Sequence, residues 1–131
     1  MKTCTKFQHP MNKIRALLYD SHTQEVTEHQ ISKNFLEDAY RLINSDIVQL
    51  VSTQTLGDLL CDEEYNIRPI LEPEFTMVER TDLWIGGNIL FLGPVDDDGY
   101  STDCNLDPLV LLRGLQAVGP EASRRYFERF Q

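Results

Sequence analysis

Three consecutive aspartates, Asp96, Asp97 and Asp98, stand before Gly99, with Asp103 and Asn105 close behind. Oxygen-rich stretches of this kind raise the question of a hard cation. An EF-hand loop needs oxygen ligands at alternating positions, glycine at the sixth and glutamate at the twelfth. Setting Gly99 at the sixth position puts Pro94 at the first and Asn105 at the twelfth, so the pattern fails at both ends. Asp-Asp-Gly is also an ordinary turn sequence, and no metal is implied. A second acidic run, Asp62-Glu63-Glu64, follows an apolar segment. Sunk in a cleft, such carboxylates do acid–base work. As a run at a turn they read as solvated, and the two runs together predict one negative, protein-facing surface.

The other reactive side chains form no catalytic set. His22 and His29 flank a predicted hairpin and are placed to approach one another, with His9 in the N-terminal lead. Two histidines without a placed carboxylate or cysteine do not define a zinc site. Ser52, Ser101 and Thr102 lack a Gly-x-Ser-x-Gly setting. Gly86-Gly87 is not a phosphate loop, because no lysine and no helix start follow it. Cys4, Cys61 and Cys104 are odd in number and widely spaced, which favours reduced thiols over a disulfide framework. Trp84 and Asn88, either side of Gly86-Gly87, are the residues around which a small-molecule pocket would form.

The net charge of −9 is unevenly spread. Residues 1–50 are balanced, residues 51–107 set thirteen acids against Arg68 and Arg80, and residues 108–131 are net +2. A central acidic segment argues against contact with a nucleic-acid backbone and for a basic protein partner. No apolar run reaches the roughly 18 residues of a membrane span, and the N-terminus lacks the apolar centre of a signal peptide. A cytoplasmic protein without a cofactor is the expectation.

These residues need elements to position them. Residues 1–12 read as a flexible lead and residues 13–131 as a single α+β domain. Lys13–Tyr19 and Gln24–Ile31, joined by Asp20-Ser21-His22-Thr23, read as a hairpin whose second strand is exposed at an edge. Ser32 is placed to cap a helix over Lys33–Asn44, with Phe35, Leu36, Ala39, Tyr40 and Ile43 on its apolar stripe. Asp46–Ser52 and Leu56–Cys61 form a second hairpin, with Val48 and Leu50 in the core, and Tyr65–Arg80 reads as an extended loop. Ile89-Leu90-Phe91-Leu92, bounded by glycines, is a strand buried on both faces. Asp107-Pro108 opens a helix with Leu109, Leu112, Leu115 and Val118 toward the sheet, and Gly119-Pro120 stops it. A last helix over Glu121–Phe130 carries Tyr126, Phe127 and Phe130, a stripe suited to a homodimer contact. The expected fold is a mixed or antiparallel sheet of about five strands with one packed helix and two C-terminal helices.

Several of these pieces occur together elsewhere. The hairpin, the helix ending in Leu42-Ile43, Asp46-Ile47-Val48-Gln49-Leu50-Val51, Asp62-Glu63-Glu64 and Gly87-Asn88-Ile89-Leu90-Phe91-Leu92-Gly93 form one series. That order resembles domain-of-unknown-function family 3846, small proteins of bacteria, plasmids and phages. The resemblance spans about residues 13–103 and implies a mobile-element origin; the family's name carries no activity, so the resemblance adds no catalytic residues. The lead and the C-terminal helices depart from it.

Three functions follow as expectations. The first is a non-enzymatic binding or regulatory protein acting through the acidic surface. The second is a DNA mimic with carboxylates spaced like phosphates, occupying a nucleic-acid-binding protein. The third is a small enzyme or nucleotide-binding module with its pocket near Trp84 and Asn88.

Overall fold

The computed structural model of the chain describes residues 13–32, 36–53, 55–65, 75–79 and 83–118. Eight strands and two helices lie within them: β1 Lys13–Asp20, β2 Glu25–Ser32, α1 Leu36–Ile43, β3 Val48–Ser52, β4 Asp58–Asp62, β5 Phe75–Val78, β6 Trp84–Gly86, β7 Ile89–Leu92, α2 Pro108–Arg113 and β8 Leu115–Ala117. The lead, Phe35, residues 66–74 and the predicted helix over Glu121–Phe130 fall outside the described residues.

The strands form an antiparallel five-stranded sheet in the order β2-β1-β7-β4-β3 and a three-stranded one in the order β6-β5-β8. Strand β7 is the middle of the larger sheet, and all four of its side chains are buried. The two-residue period of a strand sends them to opposite faces. Ile89 and Phe91 join Leu17, Tyr19, Leu59 and Cys61 against the smaller sheet and α2, through Val78, Ile85 and Leu111. Leu90 and Leu92 join Ala16, Leu18 and Leu60 under α1, through Ala39, Leu42 and Ile43. The result is three layers: helix, large sheet, small sheet.

Helix α1 carries Glu37 and Asp38 in its first turn and Arg41 in its last, which suits the helix dipole. The Asp38 carboxylate reaches back to accept from the Ser32 amide at 2.9 Å, joining β2 to the helix start. Asn44, at φ 63°, ends the helix, and the Ser45 amide donates to the Tyr40 carbonyl at 3.0 Å. This is a Schellman closure with asparagine in the left-handed position.

Three expectations need correction. Residues Tyr65–Arg80 are not all loop, because Phe75–Val78 is the central strand of the smaller sheet. The helix that Asp107 caps is short: Asp107 accepts from the Leu109 amide, but Gly114 closes the helix and Leu115–Ala117 pairs with β5. Leu109 is therefore 66% exposed, and Leu111 is the buried residue of that helix. The two helices of the described residues are α1 and α2, and the predicted helix over Glu121–Phe130 lies outside them. Leu50, expected in the core, lies on the edge strand β3 and is 49% exposed.

Candidate functional site

The acidic turn after β7 is a small hairpin with a defined tip. Val95 and Ser101 form an isolated antiparallel bridge at its base. The Asp96 amide donates to the Tyr100 carbonyl at 2.8 Å, and the Gly99 amide to the Asp96 carbonyl at 3.0 Å. One Asp96 carboxylate oxygen accepts from the Asp98 amide at 2.9 Å and from the Tyr100 amide at 3.0 Å. Gly99 sits at φ +88°, a conformation that a side chain would strain, so the turn needs glycine there. Below the bridge, Thr102 donates to Pro94 O from both its amide, at 3.1 Å, and its hydroxyl, at 2.6 Å. Asp96 is thus used internally, while Asp97 and Asp98 are exposed at the tip. Val95 and Tyr100 are also exposed, Tyr100 by 50%. The hairpin presents an aromatic ring and an aliphatic side chain beside two carboxylates on a hydrogen-bonded turn.

The second acidic run is built differently. Asp62 is 8% exposed, and one of its carboxylate oxygens accepts from the Ser45 hydroxyl and from the Glu64 amide, each at 2.9 Å. This carboxylate closes the β4 end against the β3 start and is not a surface group. Glu64 is half-buried, and of the three only Glu63 is exposed. Nor do the two runs share an edge. In the antiparallel β4–β7 pair, Asp58 lies opposite Leu92 and Leu60 opposite Leu90. Strand β4 therefore leaves the sheet at the end where β7 enters it, and a single negative edge combining both runs is excluded.

The residues named for a pocket separate as well. Asn88 lines a cleft of about 160 Å³ with Ser21, Asn44, Asp62, Tyr65 and Gly87. Its carboxamide oxygen accepts from the Ser21 amide at 3.0 Å and its nitrogen donates to Leu42 O at 3.3 Å, so it ties the first hairpin to the end of α1. Trp84 does not line this cleft. It belongs to an aromatic row in the smaller sheet, 6.4 Å from Phe75, which in turn meets Tyr65 edge-on at 5.3 Å. The Gly87-Asn88 step carries the chain from the small sheet to the large one.

His22 and His29 do not meet. The His22 amide donates to Asp20 within the turn at 2.8 Å, whereas His29 lies along β2 opposite Ala16, its ring bonded to the Thr27 hydroxyl at 2.9 Å. Cys61 and Cys104 are buried free thiols. Burial, helped by the Asp62 and Glu63 charges, pushes the Cys61 thiol up to about 11, and burial raises Cys104 as well. Neither is a nucleophile near neutral pH. Among the described residues no group of three or more His, Cys, Asp or Glu is arranged to hold a metal ion. Among them, too, no helix is long and apolar enough to cross a membrane. Tyr126, Phe127 and Phe130 lie outside the described residues.

Tyr100 and Val95 do not stand out in the sequence. The trace it offered was an aromatic residue directly after the Asp-Asp-Asp-Gly turn, where a hairpin rather than a buried strand would receive it. Comparison with family models, with curated proteins and with solved structures finds no match to this chain.

Proposed function

We propose that this protein is a non-enzymatic binding protein that engages a basic protein partner through the Val95–Ser101 hairpin. The observation that carries the reading is the composition of that tip: Tyr100 and Val95 exposed beside Asp97 and Asp98 on a turn fixed by its own hydrogen bonds. A preorganised aromatic residue is a common anchor of protein interfaces. Flanking carboxylates steer a positive partner toward it. The rest of the surface agrees in sign. Among the described residues sixteen carboxylates stand against Lys13, Arg15, Arg41 and Arg113. Two of those bases are already engaged, Arg15 with Glu28 at 3.1 Å and Arg41 with Asp38 at 3.3 Å.

The likeness to domain-of-unknown-function family 3846 supports a bacterial mobile-element origin, and two buried free thiols suit a reducing cytoplasm. The test is capture of partners from a bacterial lysate at low and high salt on immobilised protein. A partner retained at low salt, released at high salt and lost from the Asp97→Asn/Asp98→Asn/Tyr100→Ala variant supports the reading. Retention of the same proteins by wild type and variant contradicts it.

A further inference from the structure

Among the described residues, the outer edge of β3 is built unlike the other strand edges. An edge strand offers N–H and C=O groups to any chain that can pair with it, and proteins blunt such edges with charge, proline or short length. At one end of the large sheet, β2 carries Glu25, Glu28 and His29. The edges of the small sheet, β6 and β8, have three residues each. Strand β3, Val48-Gln49-Leu50-Val51-Ser52, has five residues with no charge and no proline.

The register says which groups face outward. The Glu63 amide donates to Ile47 O and the Thr53 amide to Gly57 O, both at 3.0 Å, bracketing the pairs Val48↔Asp62 to Ser52↔Asp58. Bonded and non-bonded pairs alternate along an antiparallel ladder. Residues 47, 49, 51 and 53 therefore bond to β4, and Val48, Leu50 and Ser52 turn their N–H and C=O groups away from β4, to a side with which no strand of the described residues pairs. A groove of about 560 Å³ lies along α1 and the turn that leads from it toward β3, lined by Glu37, Tyr40, Arg41, Asn44, Ser45 and Asp46. The Arg41 in it is held by Asp38.

Carboxylates stand at both ends of the edge. Asp46 and the exposed Glu63 mark its start. Asp58, opposite Ser52, and Glu79, which accepts from the Thr55 amide at 2.6 Å, mark its finish. Antiparallel pairing with a second copy about Leu50 would set the Asp46 and Glu63 end of one chain against the Asp58 and Glu79 end of the other. Acid would meet acid, so charge selects against self-pairing and for a basic-ended segment.

We infer that the outer edge of β3 takes an extended segment of another protein as an added strand, apolar at alternate positions and flanked by Lys or Arg. Strand addition supplies main-chain bonds for affinity and side pockets for specificity. Here Val48, Leu50 and Ser52 provide the bonds, and the groove beside α1 receives one basic flank. The inference rests on the reading of a basic partner but uses a surface separate from the Val95–Ser101 hairpin.

The test uses a fluorescent peptide of alternating valine and threonine between lysine pairs, and its counterpart with glutamates for lysines. Leu50→Pro removes the central outward donor without touching a β3–β4 bond, and proline is tolerated on an edge strand in that position. Wild type is expected to bind the lysine-flanked peptide with slowed amide exchange at Val48, Leu50 and Ser52. Binding is expected to fall at least about tenfold in Leu50→Pro, or with the glutamate-flanked peptide, and to hold in Asp97→Asn/Asp98→Asn. Should Leu50→Pro melt early, Leu50→Lys, which places a positive charge on the edge, carries the same expectation. Lysine-peptide binding with protection elsewhere and no loss in Leu50→Pro overturns the inference and leaves the basic-partner reading standing. Equal binding of both peptides shows no charge selection at this edge and overturns the inference, while the hairpin reading keeps its own test by partner capture. No peptide binding, with a concentration-dependent dimer that Leu50→Pro abolishes, assigns the edge to a second copy and overturns the inference.

Discussion

Asp62 and Asp96 leave neighbouring antiparallel strands in opposite directions, one at each end of the large sheet. At a strand rise of about 3.3 Å per residue, the four steps from Asp58 to Asp62 alone separate the two levels by about 13 Å. That exceeds the Debye length of about 8 Å at physiological ionic strength, so the two acidic runs act as separate charges. Asp62 is moreover a buried acceptor for Ser45 and Glu64, which removes it from any surface role. The hairpin tip keeps its two exposed carboxylates beside an apolar anchor.

Tyr100→Ala tests that anchor. A half-exposed ring that becomes buried in a complex is expected to lengthen the partner's residence, so the variant dissociates faster by about tenfold or more. Dissociation rates of the retained partner, measured for both proteins, check this. Unchanged dissociation would mean the ring lies outside the interface.

Phe91→Ala tests the core. Phe91 is fully buried on β7 and lies opposite Leu17 on one side and Leu59 on the other. Truncation there is expected to cost about 3–5 kcal/mol. A denaturant melt showing a loss below about 1 kcal/mol would contradict the placement of the layers.

Gly93→Ala tests the root of the hairpin. A Cβ at Gly93 would lie 2.1 Å from Asp103 O and 2.7 Å from the Thr102 hydroxyl, so backbone would have to move. The segment it would press on is held in turn by Arg15, whose guanidinium donates to Cys104 O at 2.5 Å and Leu106 O at 3.0 Å. Overpacking of this kind is expected to cost about 1–3 kcal/mol, read from thermal or denaturant unfolding. A neutral substitution would show that the Thr102–Cys104 segment yields freely.

Asp38 gives a pH signature. The Ser32 amide, above all, lowers its carboxyl below the ordinary value, against burial and with help from Arg41. A depressed folded-state value means stability that is fully present above the unfolded pKa of about 3.9 and is lost as pH falls through the folded value. Asp38→Asn is expected to reduce stability at neutral pH and to flatten the acid limb of the stability curve below about pH 4. Parallel acid limbs for the two proteins would remove Asp38 from that role.

How much of this was legible depends on where the determining contacts lie. Strand β7 was readable because apolar residues at four consecutive positions between glycines describe burial on both faces. The start of α2 was readable because cap and proline are local. Its end was not, since Leu109, Leu112, Leu115 and Val118 keep helical spacing while the decisive partner of Leu115–Ala117, strand β5, lies some forty residues earlier. Strand β5 was hidden for the complementary reason, four residues in a proline-containing stretch whose neighbours are both remote. The acidic runs were visible as runs. Their separation depends on strand register, and the burial of Asp62 depends on Ser45, seventeen residues away.

The association rate of the retained partner tests the central claim most directly. It is measured for wild type, Asp97→Asn/Asp98→Asn and, as a control at the opposite end of the sheet, Glu25→Gln, at about 50 mM and about 300 mM salt. Wild-type association is expected to fall steeply with salt, to slow several-fold at low salt in the hairpin variant with a shallower salt dependence, and to stay near wild type in Glu25→Gln. Equal rates and equal salt dependence for wild type and the hairpin variant would contradict a binding surface at the Val95–Ser101 tip.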